Sequence, residues 1–80
     1  MAVDKASLPI GCMDLEKAFG QKVRYWRKQR GLSQEEFAHL AQLHPTYVSG
    51  IESGKRNPTI KIVARIASAL QIKASNLFPD

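Results

Sequence analysis

Eighty residues hold one domain, and a chain of this size buries only about 60% of the surface it exposes when unfolded, so its core is small. Twelve Lys and Arg against seven Asp and Glu give a formal net charge of +5 and a pI near 9.7, which favours polyanionic partners. A single cysteine, Cys12, excludes an intrachain disulfide and fits a reducing, cytoplasmic setting.

Residues 1–14 read as a flexible N-terminal arm and residues 15–80 as the folded domain. Pro9 and Gly11 break any periodicity, and Asp4 sits where a signal peptide carries only positive charge. The apolar run Leu8 to Ile10 is too short to span a membrane. The expected state of the arm is disorder, with Cys12 a free thiol. Some DNA-binding proteins reach a groove with such an arm, but only Lys5 supplies a cation here.

Asp14 is placed as the N-cap of a first helix running to about Arg30, with Glu16 in its first turn, where the helix dipole favours an anion. Phe19, Val23 and Trp26 recur at helical spacing and form its buried stripe. Gly20 inside that helix costs roughly 1 kcal/mol relative to alanine, which points to close packing. Gly31 closes the helix. Its tail holds Lys22, Arg24, Arg27, Lys28 and Arg30 around Tyr25 and Trp26. Stacking on single-stranded nucleic acid would use such a run, but Trp26 lies on the core stripe.

Ser33 is a good N-cap, and Glu36 can bond back to its amide, so a capping box starts a second helix just before Phe37, Ala38 and Ala41. That helix is expected to end near Gln42. His44-Pro45 opens a third, because proline's angle is pre-set and its missing amide hydrogen would have been unpaired there anyway. Gly54 stops it. At about 100° per residue, Val48 and Ile51 point one way with Tyr47 at their edge, while Thr46, Ser49, Gly50 and Ser53 fall on the opposite face. That face is either simply solvated or able to approach another surface closely. Lys55, Arg56 and Asn57 follow at once, and the N-terminus of the second helix offers backbone donors to a phosphate.

Thr59 or Pro58 begins a fourth helix to about Leu70, with Ile60, Val63, Ile66, Ala67 and Leu70 on its core face. Ile62 and Ala69 extend that face sideways, and a short final helix carries Leu77 and Phe78. Together these four residues suggest a self-complementary homodimer patch; the competing reading is that Leu77 and Phe78 cap the chain's own core.

The pieces FGQKVRYWRKQRGLSQEEFA, HPTYVSGIESGKRNPTI, VARIASALQI and NLF, in this order and spacing, resemble the Xre/Cro family of phage and bacterial repressors from about Phe19 to Phe78. In length and in TYVSGIE the chain is similar to the small controller proteins of restriction-modification systems. The resemblance implies an all-α, five-helix, lambda-repressor-like domain with its helix-turn-helix at helices two and three, and sequence-specific binding to double-stranded operator DNA. It implies base or phosphate contacts near His44, Pro45, Thr46, Tyr47 and Gly50, a phosphate contact at Gln34, and an ion pair between Arg27 and Glu52 that is structural and not a DNA contact. Simple solvent exposure is the other reading of Gln34.

The chain departs from the family at Gln42, where glycine is usual, so the turn is expected to differ slightly. Pro45 and Gly50 remove two side-chain readers. Thr46, Tyr47, Ser49 and His44 remain, and none presents the bidentate fork of Arg, Asn or Gln, so groove shape is expected to share in specificity. A two-fold dimer would bind a palindromic operator with half-sites on the order of 34 Å apart.

No catalytic, metal or cofactor site is expected. His39 and His44 lack a carboxylate or cysteine at ligand spacing, and there is no glycine-rich phosphate loop or evident small-molecule site. The alternative to a DNA-binding regulator is a protein-interaction module or antitoxin component built on the same fold.

Overall fold

The computed structural model describes residues 11–79, which form four α-helices and one turn of 3-10 helix: α1 (Gly11–Gln29), α2 (Gln34–Ala41), α3 (Pro45–Glu52), α4 (Ile60–Leu70) and the turn Ala74–Leu77. The domain is all-helical as expected, and the fifth expected helix is the single 3-10 turn. α1 starts at Gly11, so Asp14 lies inside it and is not the N-cap; no proline stands between Gly11 and the apolar stripe to stop the helix growing backwards. The rest of the expected arm, residues 1–10 with Lys5, lies outside the described residues.

The helix ends follow from local chemistry. Ser33 and Glu36 form the complete capping box, with Oγ of Ser33 accepting from the Glu36 amide at 3.0 Å and the Glu36 carboxylate accepting from the Ser33 amide at 2.8 Å. Thr59 caps α4 by accepting from the Ile62 amide at 3.2 Å. At the end of α1, Gly31 turns left-handed at φ 70°, and the Leu32 and Gly31 amides donate to the carbonyls of Arg27 and Lys28.

α2 ends in the same pattern, but the left-handed residue is Gln42, at φ 59°. The turn therefore keeps the geometry that glycine would give it, and the expected departure appears as backbone strain on Gln42. A left-handed non-glycine residue costs roughly 1–2 kcal/mol, of which glycine's extra freedom in the unfolded chain would offset up to about 1. Gln42→Gly is expected to raise stability by about 0.5–1 kcal/mol, read as a higher denaturant midpoint at unchanged slope.

The core draws on every element: Phe19 and Val23 from α1, Phe37, Ala38 and Ala41 from α2, Val48 and Ile51 from α3, Ile66, Ala67 and Leu70 from α4, and Leu77. Each large apolar side chain among them contributes roughly 1.5–3 kcal/mol by leaving water. α1 and α3 meet at Gly20, where an added Cβ would stand 2.2 Å from the Ile51 carbonyl oxygen and 2.8 Å from that of Glu52. The close packing expected of Gly20 is thus backbone against backbone.

Two apolar assignments change. Ile60 is 88% exposed and does not join the core face of α4, because it lies one turn ahead of Val63, where the core beneath the helix already thins to half burial. Leu77 is wholly buried within its own chain, so it has no surface to give a dimer interface. Phe78 stacks on Phe19 at 5.3 Å between ring centres yet stays 40% exposed, while Ile62 and Ala69 are half-buried against the core.

Candidate nucleic-acid interface

Placement of α3 decides what its polar face can do. Val48 and Ile51 are fully buried and hold the helix to the body, while Thr46, Ser49 and Ser53 are exposed and Gly50 is half-exposed. His44 caps the helix through Nδ1, which accepts from the Thr46 amide at 3.1 Å, leaving Nε2 as the ring atom free to meet a ligand. Pro45 occupies the first helical position and is exposed. At the other end, Gly54 adopts φ 82°, and a side chain there would meet the backbone of Lys17 on α1. α3 is thus fixed at both ends with one side outward.

The back of α3 is anchored electrostatically as well. Nε and an Nη nitrogen of Arg27 donate to the two carboxylate oxygens of Glu52 at 2.7 and 3.0 Å, and the other Nη donates to the Leu32 carbonyl at 2.8 Å. Both side chains are almost entirely removed from water, at 9% and 5% exposure. A planar guanidinium and a carboxylate paired two-to-two fix direction as well as distance. This is the ion pair expected between α1 and α3, and it removes Arg27 from the cations available to DNA.

Gln34 joins the same group. Its side-chain amide donates to Glu52 at 3.1 Å and the residue is half-buried, so plain solvent exposure does not hold. A phosphate can use only the second amide hydrogen, or the backbone donors at the start of α2. Nothing local in the sequence signals this link across 18 positions.

A second cation of the basic run is also spent on structure. Arg30 donates through Nε to the Leu70 carbonyl at 2.7 Å and through an Nη to that of Gln71 at 3.3 Å, and its guanidinium lies 5.9 Å from the centre of the Trp26 ring. It closes the C-terminus of α4, where the dipole and unpaired carbonyls favour a cation.

The loop after α3 folds back towards it. The amides of Lys55 and Arg56 both donate to the Gly50 carbonyl, at 2.9 and 3.2 Å, and the Ser53 hydroxyl donates to the same oxygen at 3.1 Å. Lys55, Arg56 and Asn57 are all exposed. The Arg56 side chain crosses Gly50 and sets its guanidinium 5.7 Å from the centre of the half-buried Tyr47 ring. The structure therefore brings Tyr47, Gly50 and Arg56 together, with Thr46, Ser49 and Ser53 exposed on the same helix.

Residues 23–77 match the helix-turn-helix family HTH_3. The chain belongs to that family. HTH_3 membership, of the Xre/Cro type, agrees with the resemblance read from the sequence. Control protein C.MunI of Mycoplasma sp. is 43% identical over 68 residues, covering 84% of this chain and 92% of that protein. The crystal structure of the restriction-modification controller protein C.AhdI from Aeromonas hydrophila is similar at a TM-score of 0.76 and 42% identity, covering 78% of this chain and 94% of that one. SinR, a master regulator for biofilm formation solved in complex with DNA, is similar at a TM-score of 0.71 and 30% identity, covering 74% of this chain and 95% of that one. These relatives are regulators and control proteins, and the HTH_3 chain is accordingly a member of a transcriptional regulator family and not an enzyme. Among the described residues no helix is long and apolar enough to cross a membrane.

Proposed function

We propose that this protein binds a specific operator in double-stranded DNA, with α3 in the major groove, and so controls transcription in the cytoplasm. The observation that carries this reading is the division of α3: Val48 and Ile51 fill the core while Thr46, Ser49 and Ser53 stand in the open, on a helix held rigidly from behind by Arg27 and Glu52. A major groove about 12 Å wide admits such a helix. Thr46 can meet a base edge or a thymine methyl, and Tyr47, Ser49 and the free nitrogen of His44 can bond to bases or phosphates. Lys55 and Asn57 supply backbone contacts beside them. That SinR was solved with DNA supports the same use of the fold.

The protein acts as a homodimer on a palindromic site. Leu15, Ile60 and Phe78 leave apolar surface exposed around one cleft, whereas Ile62 and Ala69 lie half-buried on the other flank of α4. A second copy covering the cleft would enlarge a core that is small in the single chain. Its two recognition helices would then stand about 34 Å apart, one turn of DNA.

The test is titration of duplex DNA with the purified protein over a range of salt concentrations, with sedimentation to count copies. Affinity is expected to fall linearly on a log–log plot against salt. Lys55→Ala should weaken binding to all sequences alike and flatten that slope by about one unit. Absence of duplex binding at low salt would instead favour a protein-interaction module, and a monomer on single half-sites would remove the dimer.

A further inference from the structure

We propose that the groove where the C-terminal ends of α2 and α4 meet the end of α1 binds an acidic segment of a partner protein, laid along it as an extended peptide. The groove measures about 600 Å³ and shares no residue with the outward side of α3 or with the cleft at Leu15, Ile60 and Phe78. The inference therefore stands apart from the DNA-binding reading, and a DNA-bound copy could hold a partner there. The groove's cations are Arg30 and Arg65, no acidic side chain or aromatic ring lines it, and Leu40, 55% exposed, gives it an apolar wall.

Backbone strain is what singles this groove out. Among the described residues only Gln42 and Gln71 hold a positive φ without being glycine, both at 59°, and both line it. A left-handed backbone disfavours any side chain, and residues held there gather where a ligand uses them. Glycine would relieve the strain at either position. The resemblance to the Xre/Cro family implies glycine at position 42, so the amide there distinguishes this chain from the usual pattern. A glutamine amide offers both donors and an acceptor, which match the carbonyls and N–H groups along the main chain of an extended peptide.

Charge sets the class of the occupant. Arg30 is already held in place by the Leu70 and Gln71 carbonyls and by the Trp26 ring, and those bonds leave N–H donors of its planar fork for a carboxylate. It also offsets the C-terminal dipole of α4, which would otherwise repel an anion. Arg65, exposed on α4, supplies the second positive charge. A groove open along one side covers one face of its ligand, whereas small-molecule sites enclose most of theirs, so an extended peptide suits it better than a free acid. Leu40 would take an apolar side chain between the acids, and without a ring to stack on, unpaired bases find no platform.

The test is panning of a displayed library of random peptides against the full chain, followed by titration of the recovered peptides into wild type, Arg65→Glu, Gln42→Gly and Lys61→Glu. Recovered peptides should combine Asp or Glu with an apolar residue. Arg65→Glu should weaken them by roughly 10- to 150-fold, as for a lost hydrogen bond to a charged group. Gln42→Gly should weaken them by roughly 2- to 12-fold while making the fold more stable, a combination that a purely structural role would not give. Lys61→Glu, the same change of charge on an exposed residue elsewhere on α4, should leave their affinity unchanged. Equal losses in Arg65→Glu and Lys61→Glu would mean attraction to the protein's overall charge and would overturn the proposal. So would recovery of no peptide, or of peptides indifferent to Arg65 and Gln42. If Arg65→Glu instead abolishes self-association in sedimentation, or weakens duplex binding alone, the groove belongs to a second copy or to DNA and no acidic partner is needed.

Discussion

Gly20→Ala is expected to destabilise the protein by about 2–3 kcal/mol, although alanine is the better helix former by up to about 1 kcal/mol. The new methyl would meet the carbonyl oxygens of Ile51 and Glu52, which are main-chain atoms at the end of α3 and cannot rotate away. Either α1 and α3 separate, opening voids beside Phe19 and Val23, or both backbones bend; overpacking of this kind typically costs 1–3 kcal/mol before any helix gain. Since α3 carries the candidate interface, the shift should weaken DNA binding as well. Gly50→Ala is the milder comparison, because its methyl meets the side chain of Arg56 and no backbone; turning Cγ of Arg56 aside offsets the helix gain of up to about 1 kcal/mol, so stability should stay within about 1 kcal/mol of wild type. Chemical denaturation of the two variants checks the contrast; a Gly20→Ala protein as stable as wild type would mean that the helices do not touch there.

Glu52→Ala should be the more damaging change, at about 3–5 kcal/mol, because it leaves the Arg27 guanidinium buried with only the Leu32 carbonyl as an acceptor and also frees Gln34. A pair exposed on the surface would lose no more than about 1 kcal/mol on the same truncation. With 5–15 kcal/mol the usual margin for a folded domain, the expected loss would show as partial unfolding at growth temperature. The double variant Arg27→Met, Glu52→Leu should regain most of the stability, since no charge is then stranded. A loss below 1 kcal/mol in Glu52→Ala would show that water reaches the pair.

How much of this was readable in the sequence depends on distance along the chain. The capping box at Ser33 and Glu36, proline at the first position of α3, the stop at Gly54 and the burial of Val48 and Ile51 were all legible, because each depends on neighbours within about one turn. The pairing of Arg27 with Glu52, 25 positions apart, came only through the family resemblance. The bonds of Arg30 to the end of α4 and of Gln34 to Glu52 had no signal at all: a basic run and a glutamine at a helix start look the same whether they face water or close a distant helix. Ile60 and Leu77 erred in opposite senses for one reason. Periodicity gives the direction of a side chain but not where the core ends, so Ile60 points past it and Leu77 fills it. Gly50, read as a missing contact, acquires its meaning from the Arg56 side chain that folds over it, which only the loop's hydrogen bonds to the Gly50 carbonyl determine.

The outward side of α3 as the surface that meets DNA is tested most directly by intermolecular nuclear Overhauser contacts between the protein and a duplex recovered by selection. Contacts from the Thr46 methyl, the Ser49 β-protons and the Tyr47 ring to major-groove base protons are expected. Contacts arising instead from Leu15, Ile60 and Phe78, with α3 silent, would contradict it.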